Sequence, residues 1–199
     1  MHHRPFVEWI GAATDPARVP SPTVPEVAFA GRSNVGKSSL INALAETTVV
    51  RVSGTPGRTR AIHLMDVRFD SSKNPVVMRL VDLPGYGYAK VSKSVSREWA
   101  SFLQPYLADR SVLAMCVVLV DASLPPQPMD IQMVEWLRSV GRPFLVVATK
   151  ADRPSKAKLN TALGQMKAAF GVPPMPLSAR TRDQVPELWF RIRKACGLA

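Results

Sequence analysis

The chain is short of several features, and each shortage excludes a class of protein. Its 199 residues hold two cysteines, Cys116 inside an apolar run and Cys196 near the C-terminus. Two so placed make no disulfide framework, and Cys116 reads as a small core residue suited to a reducing cytoplasm. No apolar run reaches the ~18 residues of a membrane span; Val112–Val120 falls well short of it. A secretory leader is missing too, because Pro16, Pro20, Pro22 and Pro25 break up the N-terminal segment. There is no internal repeat and no low-complexity tract. Acidic residues are few, 15 against 26 Lys and Arg, for a net charge of +11. The imbalance is local. Residues 138–199 carry 12 basic side chains against Asp152, Asp183 and Glu187, so +9 of the excess lies there and +2 in residues 1–137. A basic C-terminal third points to a polyanionic partner, with a solubilising surface as the plainer alternative.

What is present is organised as alternating strands and helices, at a length that lets one domain bury a core without staples. After a short element at Phe6–Ile10, the Pro-rich Thr14–Pro25 reads as a lead-in wrapping the surface. Glu26–Ala30 is a short apolar strand, and Ser39–Leu44 continues as a helix. Ala45–Arg60 lacks periodicity and holds Gly54, Pro56 and Gly57, the marks of a long mobile loop. Ala61–Phe69 and Val76–Asp82 are β-type runs whose short polar link makes them an antiparallel hairpin. Ser94–Ala108 is helical, and Val112–Asp121 is nearly continuous in apolar residues, as a central parallel strand should be. A helix at Met129–Val140, a strand at Phe144–Thr149, a helix at Lys156–Phe170, a short strand at Met175–Ser178 and a helix at Val185–Cys196 complete the series. The expected fold is α/β: a mostly parallel six-stranded sheet with one antiparallel edge hairpin and helices on both faces. Residues 1–25 would be a lead-in packed on a domain of residues 26–199. Sites in such sheets lie at the C-terminal ends of the strands.

The chemical motifs fall at those ends. Gly31-Arg32-Ser33-Asn34-Val35-Gly36-Lys37-Ser38 is a complete G-x-x-x-x-G-K-S phosphate loop between strand and helix. Its glycines let backbone N–H groups close around phosphate oxygens; Lys37 places a charge at the β/γ-phosphates, and the Ser38 hydroxyl is an Mg²⁺ ligand. Asp82-Leu83-Pro84-Gly85 ends a strand, where the carboxylate can hold Mg²⁺ through water and the Gly85 N–H can meet the γ-phosphate. Thr149-Lys150-Ala151-Asp152 follows another strand. A carboxylate there accepts from guanine N1–H and the 2-amino group, whereas adenine would leave Asp152 unpaired. The Lys150 stem can cover the base, and Ser178-Ala179-Arg180 can offer the Ala179 N–H to guanine O6. Thr59, in the loop segment Gly57-Arg58-Thr59-Arg60-Ala61, carries a hydroxyl that can close on Mg²⁺ when the γ-phosphate is present; Thr55 is its rival. Lys37 and Thr59 are thus the catalytic candidates, and Ser38 and Thr59 the metal ligands.

With these motifs in one order, the sequence resembles a translation-factor-class P-loop GTPase, and closely the EngB family of bacterial ribosome-assembly GTPases. The match runs over about residues 6–195. Pro25–Leu44, Pro56–Arg60, Asp82-Leu83-Pro84-Gly85-Tyr86-Gly87-Tyr88-Ala89, Thr149–Asp152 and Ser178-Ala179 carry it. The resemblance implies a Ras-like fold, GTP and GDP binding, slow hydrolysis with Mg²⁺ at Ser38 and Thr59, and a cytoplasmic protein. It further implies a role in large ribosomal subunit assembly through rRNA, linked to cell division and septation, with a monomer off the ribosome and no membrane partner. Thr149 departs from the commoner Asn of general GTPases but is similar to the family's pattern; Arg60 sits where many members have Gln. Tyr86 occupies the position where many GTPases place a water-orienting Gln, and a K⁺ ion beside Asn34 is one way to supply the missing charge, against a plain turn role for that residue. A small-molecule P-loop kinase is the other class, but it needs neither Asp152 nor the Thr59 loop. An Era-like or tRNA-modifying GTPase carries an appended domain, for which the chain leaves no room after the helix that begins at Val185.

Overall fold

The computed structural model describes residues 4–15, 18–21, 23–51, 61–86 and 103–198. Seven strands form one sheet: β1 Pro5–Ala13, β2 Glu26–Gly31, β3 Ile62–Phe69, β4 Met78–Asp82, β5 Leu113–Asp121, β6 Phe144–Thr149 and β7 Met175–Pro176. Their order is β1-β3-β4-β2-β5-β6-β7. The pairings from β4 through β7 are parallel, while β3 is antiparallel to both β1 and β4. The helices are α1 Lys37–Ala45, α2 at residues 103–109, α3 Pro128–Ser139, α4 Lys156–Phe170 and α5 Val185–Ala195.

Strand periodicity splits the core in two. In β2, Ala28 and Ala30 face one side and Val27 and Phe29 the other; in β5, Cys116, Val118 and Val120 oppose Met115, Val117 and Leu119. Leu103 and Leu107 of α2, Val134 and Leu137 of α3, and Met166 and Phe170 of α4 pack on the first side. Leu40, Ile41 and Leu44 of α1 and Val185, Leu188 and Ile192 of α5 pack on the second. Cys116 is fully buried, and burial pushes its thiol up to about 12, as befits a core residue. Among the described residues no helix is long and apolar enough to cross a membrane.

The expected six-stranded sheet has seven strands because Pro5–Ala13, longer than the element expected at Phe6–Ile10, pairs along all of β3. Its residues do not alternate cleanly: the register shifts between Trp9 and Gly11, and Trp9 and Ile10 stay exposed. The β3–β4 hairpin forms as expected but is therefore not at the edge. The loop expected from Ala45 onward is pinned at its start, where the Asn42 side chain accepts from the Val49 and Val50 N–H groups and donates to the Val50 carbonyl.

At the end of the sheet away from the motifs, Glu26 is wholly buried at the start of β2. Its carboxylate accepts from the Tyr106 hydroxyl at 2.7 Å and from Arg110 Nε and Nη2 at 2.8 and 2.6 Å. Arg110 also donates to the Pro20 carbonyl, and Arg79 of β4 approaches Glu26 while donating to Asp66 of β3. One carboxylate thus ties the lead-in, two strands and the end of α2. Glu26→Ala leaves the partly covered Arg110 guanidinium without that counter-charge and is expected to cost about 3–5 kcal/mol. Urea unfolding checks it; a loss below about 1 kcal/mol would mean water replaces the carboxylate.

Candidate functional site

β2 is buried along its length, then the chain turns through residues 32–36 into α1. Gly36 makes the turn possible, since it sits at φ +105°, where a side chain is strained. No side chain caps the N-terminus of α1, so its first-turn N–H groups and the helix dipole are directed at the loop, an arrangement suited to phosphate.

Two neighbouring segments brace the loop. From β6, the Thr149 hydroxyl donates to the Val35 carbonyl at 2.6 Å, with the Val120 carbonyl 2.9 Å away as the alternative acceptor. Lys150, turned into the left-handed region at φ +57°, donates to the Asn34 carbonyl at 2.8 Å and to Asp121 at 2.6 Å. From β4, the Asp82–Tyr86 strap runs alongside: Leu83 N–H donates to Phe29, Tyr86 N–H to Gly31, and Ser33 N–H to the Tyr86 carbonyl. Gly85 lies so near the loop that a Cβ there would meet the Ser33 nitrogen at 3.2 Å. Lys37 and Asp82 form an ion pair, both side chains almost buried. An ammonium and a carboxylate thus sit side by side at the loop.

Beyond Lys150 the chain reaches Asp152. Its two oxygens accept from the Ser178 hydroxyl at 2.6 Å and from Arg180 Nε at 2.8 Å. Those bonds, Ser178's first, hold its carboxyl below the usual range. Each oxygen keeps a further lone pair for an incoming donor. Ala151 N–H donates to the Leu177 carbonyl, locking this turn to the one carrying Ser178 and Ala179.

The family model for 50S ribosome-binding GTPases matches residues 26–150. The probable GTP-binding protein EngB of Acidobacterium capsulatum is 47% identical over 98% of this chain and 92% of its own. That of Koribacter versatilis is 44% identical over 98% of this chain and 96% of its own. The chain belongs to the EngB family of GTP-binding proteins. Among solved structures, a probable EngB matches at 25% identity with TM-score 0.69, covering 87% of this chain and all of that one. Aquifex aeolicus Era bound to GDP and aluminium fluoride, 24% identical with TM-score 0.67 over 88% of this chain and 57% of that one, shares the fold. The fold is the Ras-like one of P-loop GTPases, and this EngB-family member is a GTPase.

Of the site residues expected from the sequence, Gly31–Ser38, Asp82–Gly85, Thr149–Asp152 and Ser178–Arg180 are brought to one end of the sheet. Ala61 directly precedes β3. Gly57, Arg58, Thr59 and Arg60, and with them the rival Thr55, lie outside the described residues. Two residues of the expected nucleotide site have protein partners here: the Thr149 hydroxyl holds the loop carbonyl, and the Arg180 guanidinium holds Asp152. Sequence reasoning missed Asp130 of α3, buried and accepting from the Tyr86 hydroxyl at 2.9 Å. Burial raises its carboxyl to about 6 against the opposing pull of Tyr86 and Arg32. An acid inside a helical stretch gives no sign of this in the sequence.

Asp152→Asn is expected to weaken GTP and favour xanthosine triphosphate, whose N1/C2 edge matches an amide better. Competition binding with both nucleotides checks this; equal loss of the two would make Asp152 a structural residue only.

Proposed function

We propose that this GTPase is a nucleotide switch in large ribosomal subunit assembly in the bacterial cytoplasm, hydrolysing GTP slowly with Mg²⁺ and supporting normal cell division and septation. The observation that carries the assembly role is the match of residues 26–150 to 50S ribosome-binding GTPases, joined to the basic excess of residues 138–199. In this reading residues 1–25 lead into the domain of residues 26–199 and add β1 to its sheet, and the protein is a monomer off the ribosome.

Nucleotide recognition divides along the site. Loop N–H groups and Lys37 take the phosphates, Gly85 meets the third phosphate, and Asp152 with Ala179 reads the base. The Ser38 hydroxyl and the Asp82 carboxylate are hard oxygen donors that fit Mg²⁺. Among the described residues no cluster of His, Cys, Asp or Glu could cage an ion alone, which matches an ion that keeps much of its water. Bound there, Mg²⁺ would neutralise charge on the phosphate oxygens. Thr59 is the second proposed ligand.

A low intrinsic rate follows from Tyr86. Its side chain is 3% exposed and bonded to Asp130, so position 86 offers no amide to orient water. Asn34, at φ +64° within the loop, is the proposed place for K⁺ to supply charge instead. Hydrolysis should be faster in KCl than in NaCl at equal ionic strength, and Asn34→Ala should remove the difference. Equal rates in both salts would discard the ion and leave Asn34 a turn residue.

The basic surface is not one patch. Lys156, Lys158 and Lys167 of α4 are exposed on one side of the sheet, and α5 lies on the other. On α5, Arg193 lies over the Phe69 ring and donates to the Leu198 carbonyl, so it is a structural cation. Arg191 is exposed and pairs with Glu187 one turn away, and Lys194 is exposed. Binding to purified large subunits, read by sedimentation, should fall with salt and favour a non-hydrolysable GTP analogue over GDP. Charge reversal at Arg191 and Lys194 should flatten the salt slope without changing nucleotide affinity. Unchanged binding would make α5 a solvated face, and indifference to the nucleotide would overturn the switch.

A further inference from the structure

Tyr86 closes a junction of three elements. Its backbone bonds to the phosphate loop on both sides, accepting from Ser33 N–H at 3.0 Å and donating to Gly31 at 3.2 Å. Its side chain turns inward, and the hydroxyl reaches Asp130 on α3. Both residues are almost wholly buried, at 3% and 2% exposure. Burying a carboxylate is costly without a donor, and a hydroxyl-to-carboxylate bond is among the stronger kinds. The Arg32 guanidinium, from the loop itself, adds its attraction to the Asp130 carboxylate. The pair is therefore a directed link between α3 and the residue that follows Gly85.

We propose that Tyr86 and Asp130 are positioning residues for the third phosphate: they hold Gly85 against the phosphate loop, so that its N–H is already placed when GTP enters. This rests on the reading of Gly85 given above. The backbone bonds alone fix the height of the strap beside the loop. The ring anchored on α3 fixes its rotation, which decides where the neighbouring N–H points. GDP lacks the phosphate that Gly85 would meet, so loosening the pair acts on GTP alone.

Affinities for GDP and for a non-hydrolysable GTP analogue, measured on the full chain with its unfolding midpoint, test this. Tyr86→Phe and Asp130→Ala should each weaken the analogue about tenfold, the size of one lost hydrogen bond to a charged group, and leave GDP within about twofold. Asp130→Asn keeps an acceptor for the hydroxyl and should recover most of the loss seen with Asp130→Ala. Equal weakening of both nucleotides, or no change in either, would overturn the proposal. Gly85→Ala separates the two ideas. If it leaves the analogue-to-GDP ratio unchanged, the Gly85 reading fails and the proposal with it. If it shifts the ratio while the Tyr86 and Asp130 variants do not, the pair alone is wrong.

Discussion

The phosphate loop can present its N–H groups to an anion only if its carbonyls, which then face outward, find donors elsewhere. Buried backbone groups left unpaired would cost as much as the loop gains. In this chain the donors come from the end of β6: the Thr149 hydroxyl takes the Val35 carbonyl and the Lys150 ammonium the Asn34 carbonyl. The proposed phosphate and base sites are thereby made one mechanical unit. The residues that brace the loop are separated only by Ala151 from Asp152, already held by Ser178 and Arg180. The single proton of the Thr149 hydroxyl is used on backbone acceptors.

On the other flank, the Asp82–Tyr86 strap closes against the loop through backbone bonds and Asp130. Lys37 and Asp82 meet there as an ion pair. Buried pairs add little stability by themselves, and this one holds together the two charged groups proposed to take phosphate and cation. The far end of the sheet carries a different solution to burial, with Glu26 fully hydrogen-bonded among Tyr106 and Arg110. Site and anchor lie at opposite ends of the same parallel strands.

Much of this is legible in the sequence, because the informative residues are local. The loop, the D-x-x-G turn and Thr149–Asp152 each occupy a few consecutive positions at strand ends, and β5 announces itself as a continuous apolar run. What is not legible is long-range. β1 escapes notice as part of the sheet because it has an irregular register and two exposed apolar side chains, so no period-two pattern survives. The count of basic residues in 138–199 carries no topology, and the sheet in fact separates those of α4 from those of α5. Arg193 and Arg180 look free in one dimension and find partners in three. The Tyr86–Asp130 bond joins residues far apart in the chain, and neither type predicts the other.

The central claim is that β6 holds the phosphate loop in its binding shape. Amide hydrogen exchange at Val35 and Leu40, whose N–H groups bond to the Arg32 and Gly36 carbonyls of the loop, compared between the parent and Thr149→Val, tests it most directly. The claim predicts faster exchange confined to the loop, together with weaker GDP binding and little change in global unfolding. Loop exchange that stays as slow as in the parent, with GDP bound as tightly, would contradict it.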